Sequence, residues 1–110
     1  MTWVSRVESP EGKTSPEELI ASAHATCYAM SLSNTLAGKD APPVRLEVDA
    51  VCTFDDEQLK ITTVDFDVSG EVPGLSEEEF ESAAREADQN CPVSNALRDN
   101  VEIRLNARLG

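Results

Sequence analysis

T-S-P-E-E-L-I-A-S-A-H-A-T-C-Y-A-M-S-L-S-N-T-L-A-G, residues Thr14 to Gly38, reads as one helix with both ends marked. Ser15 suits the N-cap, Pro16 the first helical position, and Glu18 three residues after the cap completes a capping box. Gly38 stands where a helix stops, since a residue without Cβ tolerates the left-handed cap conformation. The only charged side chains, Glu17 and Glu18, lie in the first turn. The rest is apolar or small nearly all round, which predicts a helix buried on most sides. It carries Glu17, His24 and Cys27 inward.

Outward from this helix, the loop Lys39 to Pro43 leads into Val44 to Phe54, where apolar and polar residues alternate as in a half-buried strand. Cys52 falls on its apolar side and is expected to be a core side chain. Asp55 to Leu59 predicts a hairpin loop and Lys60 to Ser69 the return strand, with Val64, Phe66 and Val68 on one face. Gly70 to Leu75 predicts a break. Ser76 opens a second helix through the capping box S-E-E-E, with Phe80, Ala83, Ala84 and Ala87 along its apolar side. Pro92 predicts a short third helix with Cys91 at its N-cap, and Val101 to Leu109 alternates as a last strand. Before the first helix, Met1 to Val7 suits a strand. The order (β)-α-β-β-α-α-β predicts an α+β fold, with helices packed on an antiparallel sheet. So small a sheet cannot cover the first helix on most sides, and a homodimer with two such helices packed together would.

The 110 residues predict one domain spanning 1–110, and the formal net charge of -12 comes from 21 acidic and 9 basic side chains. Such a balance repels nucleic acid and anionic membrane surfaces, and the spread of the acid describes a solvated surface. No apolar run approaches the ~20 residues of a membrane span. Met1 is not followed by a basic, apolar leader, so a cytoplasmic protein is expected.

Three cysteines without a C-x-x-C pair do not form a secreted disulfide framework. Cys27 in mid-helix and Cys91 at a helix start form a redox pair if the fold brings them together. Local physics makes Cys91 the more acidic, because an N-cap thiolate faces the positive end of a helix. Cys27 needs a cation to ionise. Arg6 is the candidate, with Glu17 placed to hold it; Lys13 sits far along the axis. His24, three residues before Cys27, would suit a Cys-His nucleophile, yet a helix residue satisfied by packing or a polar neighbour is the expectation. A metal site from Cys27, Cys52, Cys91 and His24 lacks any ligand spacing. A different class of function is a non-catalytic dimeric module that binds a small apolar ligand or senses oxidants.

The segment T-S-P-E-E-L-I-A-S-A-H-A-T-C-Y-A-M-S-L-S resembles the first-cysteine helix of the OsmC/Ohr family, the osmotically inducible protein C and organic hydroperoxide resistance proteins. N-C-P-V-S-N-A-L resembles the segment around that family's second cysteine, and the H-A-T-C form is closer to the OsmC branch. The resemblance runs from about Trp3 to Leu109. It implies an intertwined homodimer, two long central helices wrapped by β-sheets, and sites at the subunit interface. It implies a peroxidase that reduces organic hydroperoxides to alcohols without a cofactor. Cys27 would be the peroxidatic and Cys91 the resolving cysteine, joined through a sulfenic acid and a disulfide. Glu17 and Arg6 would match the family's glutamate and catalytic arginine, and the reductant would be a dithiol of the dihydrolipoyl kind. The mid-helix thiol attacks in this family, against the local reading. The family's strands ahead of the arginine are expected to be largely absent.

Overall fold

In the computed structural model, which describes residues 15–110, the chain runs through α1 (Pro16–Gly38), β1 (Arg45–Asp55), β2 (Lys60–Glu71), α2 (Glu77–Gln89), α3 (Pro92–Leu97) and β3 (Glu102–Leu109). The strand expected at Met1 to Val7 lies outside the described residues, as do Arg6 and Lys13.

Ser15 caps α1 by accepting the Glu18 backbone N–H at 3.2 Å. The reciprocal half of the expected capping box is not made among the described residues, and the Glu18 side chain is exposed. At the other end Gly38 is still helical and Lys39 is the C-cap. The left-handed residue that turns the chain is Asp40, with φ of 58°. Aspartate is among the few residues with a side chain that enter this region readily.

Glu17, Ala21, His24, Tyr28, Leu32 and Leu36 form the buried stripe of α1, at the i, i+3, i+4 spacing of one helix face. Within the single chain the opposite face is open, with Leu19 53% and Met30 69% exposed. The expectation of burial on most sides therefore does not hold for the chain alone.

β1 pairs antiparallel with β2, and β2 pairs parallel with β3, so the described sheet is three-stranded and mixed, in the order β1-β2-β3. This corrects the expected antiparallel sheet. A parallel neighbour needs a crossover of about a dozen residues or more, and residues 72–101 supply one, carrying α2 and α3. The core lies between helices and sheet: Tyr28, Leu32 and Leu36 meet Val64, Phe66 and Val68 of β2 and Phe80, Ala83 and Ala87 of α2.

α2 has the full predicted capping box, Ser76 and Glu79 each accepting the other's backbone N–H. Gly70, expected to break β2, continues it, paired with Leu46 on one side and Leu109 on the other. A Cβ there would stand 2.9 Å from a Leu46 methyl and 3.0 Å from the Phe80 ring. The glycine lets α2 approach the sheet.

Candidate active site

The N-C-P-V-S segment meets the middle of α1 through Cys91 and Ser94. The Cys91 sulfur lies 3.5 Å from that of Cys27, across 64 positions of sequence, close enough for a weak S–H···S hydrogen bond between the two thiols. Cys91 is fully buried, whereas Cys27 is half-buried, so of these two sulfurs the one on α1 is the more open to a reagent. Forming a disulfide would require the sulfurs to close by about 1.5 Å, to the usual bond length of ~2.05 Å.

The start of α3 treats the two sulfurs differently. Pro92 has no N–H, so Val93 carries the first free donor of that helix, and Cys91 makes no side-chain cap bond. Val93 instead gives its backbone N–H to Cys27, and this is the strongest single influence on that thiol, lowering its pKa. Burial and the hydrogen bond and charge of Cys91 act the other way, and together they hold Cys27 above the ordinary 9.0. The expectation that the helix start serves Cys91 is thus reversed: its backbone donor faces the partner thiol.

A polar clasp sits beside this pair. His24 Nε2 and Ser94 Oγ are 2.7 Å apart and both side chains are fully buried. The expected polar neighbour of His24 is therefore Ser94. The His24 ring meets Phe66 edge-on at a centroid distance of 4.5 Å, while Tyr28 one turn later stacks on the same ring at 5.0 Å. Desolvation lowers the His24 pKa; Asp88 raises it and Arg98 lowers it further. At the far end of α3, Arg98 donates to the Asp88 carboxylate at 3.1 Å, the Asp88 carbonyl at 2.9 Å and Asn95 at 3.0 Å. Tyr28 Oη donates to the Ala84 carbonyl and Ser31 Oγ to that of Ala87, both at 2.8 Å, tying α1 to α2.

Val93, Ser94, Asp88 and Arg98 are the site residues that sequence reasoning missed. Pro92 was the available signal for Val93, since a proline at the first helical position leaves the next residue as first donor. Asp88, Ser94 and Arg98 carry no local signal, because polar residues near helix ends usually face water.

The remaining expected members are placed as follows. Glu17 is buried in the first turn of α1, ten residues and about 15 Å along the axis from Cys27. Its charge bears on Cys52, whose pKa is raised first by burial and then by Glu17. Cys52 lies on the inner side of β1 against the core. Among the described residues no three His, Cys, Asp or Glu side chains gather as a metal site requires. No described helix is long and apolar enough to cross a membrane.

Comparison with known proteins bears on the whole of this architecture. Residues 9–106 match the family model described as OsmC-like protein. Over 107 residues the chain is 35% identical to the peroxiredoxin OsmC of Escherichia coli strain K12, covering 96% of this chain and 73% of the relative. It is 32% identical over 108 residues to the organic hydroperoxide resistance protein OhrA of Bacillus subtilis strain 168, covering 96% and 74%. The crystal structure of an OsmC like protein from Mycoplasma pneumoniae superposes with a TM-score of 0.80 over 96% of this chain and 78% of that one. At 17% identity that likeness concerns the fold alone.

Proposed function

The chain belongs to the OsmC-like protein family, and on that premise we propose that it is a thiol peroxidase reducing organic hydroperoxides to alcohols. One observation carries the reading. Two thiols distant in sequence stand 3.5 Å apart, one of them fully buried and the other half-buried beneath a backbone N–H. That division suits an attacker and a resolver.

The Cys27 thiolate attacks the outer oxygen of R–O–OH. The O–O bond breaks, the sulfur becomes a sulfenic acid, and the alkoxide leaves with a proton as alcohol. The Cys91 sulfur then displaces hydroxide from the sulfenic sulfur, forming the Cys27–Cys91 disulfide and water. A dithiol, of the dihydrolipoyl kind that the resemblance implies, reduces the bridge by exchange. Arg6 stabilises the thiolate and the charge developing on the leaving oxygen, and Glu17 orients the guanidinium. These two roles rest on the resemblance of the first-cysteine helix and of the residues ahead of it.

The protein acts as a homodimer. The face of α1 that presents Leu19, Ala23 and Met30 is open in the single chain, and a second copy of the helix covers it. Apolar walls contributed by both copies favour alkyl over hydrogen peroxide. Consumption of an alkyl hydroperoxide by the reduced protein, supplied with a dithiol, tests the reading: Cys27→Ser abolishes it. Turnover that survives in this variant overturns the proposal, and a non-catalytic ligand-binding or oxidant-sensing module would then be favoured.

A further inference from the structure

We infer that His24 and Ser94 are positioning residues: their buried hydrogen bond holds the first turn of α3 against α1, fixing the Val93 N–H and the Cys91 sulfur on Cys27. The inference rests on the peroxidase reading only for its consequence in turnover.

Ser94 follows Val93 directly and stands three residues after Cys91, so one hydroxyl controls the place of both groups. α3 has six residues, and Cys91 at its N-cap makes no side-chain bond to its own helix. So short a helix has little hold on its own geometry. Its C-terminal end is tied to α2 through Arg98 and Asp88. Its N-terminal end is tied to α1 through the 2.7 Å contact between Ser94 and His24. His24 is three residues before Cys27, one turn away on the same helix. Its ring is held edge-on to Phe66 and is fully buried, so the contact point itself is rigid. The charged groups that bear on His24 are Asp88 on α2 and Arg98 at the C-terminal end of α3, and Cys91 stands at the N-cap of the same short helix. Burial keeps His24 neutral near neutral pH, so the clasp does not open through charging of the ring there.

Losing the clasp frees the first turn of α3, with two separable effects. Cys27 loses the donor that favours its thiolate, and Cys91 loses its register for closing the bridge. Two readouts follow these effects: the pH midpoint of iodoacetamide alkylation of Cys27 in the reduced protein, and dimedone capture of its sulfenic acid after one equivalent of cumene hydroperoxide. In Ser94→Ala the midpoint moves up by about one unit, the scale of a lost hydrogen bond to a charged form, and the sulfenic acid is captured where the unaltered protein has already closed its disulfide. His24→Gln, whose amide nitrogen reaches the place of Nε2, keeps both readouts near the unaltered values; His24→Asn, whose amide is too short, behaves as Ser94→Ala. A purely structural role would lower stability in both histidine variants without separating these readouts. An unchanged midpoint and unchanged closure in Ser94→Ala overturn the inference. Should that variant not fold, equal values for His24→Gln and His24→Asn overturn it instead. If the unaltered protein forms no disulfide with peroxide, the peroxidase reading fails, and the alkylation midpoint still decides the clasp.

Discussion

Val93 gives its backbone N–H to the sulfur of Cys27, although Cys91 is its own near neighbour at the N-cap of α3. A helix start that holds one thiol thereby supplies the donor to the other. This single donor does not suffice. Burial and Cys91 outweigh it, and Cys27 stays above the ordinary thiol value of 9.0 under these influences. Rapid attack near neutral pH therefore calls for a positive charge.

Arg6 is the residue proposed to bring that charge. Arg6→Ala raises the pH midpoint of Cys27 alkylation by about 1–3 units, the effect of removing an opposite charge from within ~4–6 Å. Peroxide consumption at neutral pH slows in proportion to the lost thiolate, with the far-UV signal unchanged. Identical alkylation profiles in the two proteins would place the activating cation elsewhere.

His24 makes folding stability depend on pH in a window of its own. Its pKa is lowered in the folded chain by burial. Below the ordinary histidine value of 6.5 the unfolded chain binds a proton that the folded chain refuses. Stability is therefore full above about pH 6.5 and falls as pH drops toward the lowered value, by at most about 1.4 kcal/mol per pH unit. The chain has one histidine, and the shifted carboxyls Asp55, Asp65 and Glu79 titrate below 3.8, 3.8 and 4.5. Urea unfolding at pH 7 and pH 5.5 should show this loss, and His24→Gln should remove it. Equal pH slopes in the two proteins contradict the account.

Gly70 is needed for space. Gly70→Ala drives a methyl group against Leu46 and Phe80, which cannot both withdraw without opening the contact between β1, β2 and α2. Overpacking of this kind costs about 1–3 kcal/mol. Chemical denaturation would show it as a lower midpoint with an unchanged slope, and a midpoint equal to that of the unaltered protein would mean the helix shifts freely.

The open face of α1 predicts assembly. Met30→Asp places a charge where the second copy is proposed to pack, and the protein should shift from dimer to monomer in light scattering at micromolar concentration. A monomer mass for the unaltered protein under those conditions removes the proposed interface.

What the sequence disclosed followed the range of each signal. The Ser76–Glu79 box and the Phe80, Ala83, Ala84, Ala87 face of α2 are local, and they appear in the structure as read. Alternation located all three described strands but not their direction, because side chains alternate equally in parallel and antiparallel strands. Only the crossover through α2 and α3 sets β3 parallel to β2. Gly70 has the residue type of a breaker and the role of a spacer, and nothing before the fold separates the two. At the site, Cys27 and Cys91 were legible as reactive residue types. The recipient of the Val93 N–H was not, since it depends on how α3 docks on α1. For His24 the sequence supports a helix residue satisfied by packing or by a polar neighbour, and it gives no sign of Ser94, which lies 70 positions away.

The most direct test of the central claim is a thiol map by mass spectrometry. The fully reduced protein is treated with one equivalent of cumene hydroperoxide, quenched, digested without reductant, and its cysteine peptides are identified. The account predicts a loss of two hydrogens per chain that maps to a Cys27–Cys91 bridge, with the Cys52 peptide unmodified. A Cys27–Cys52 bridge, or three free thiols alongside unconsumed peroxide, would contradict it.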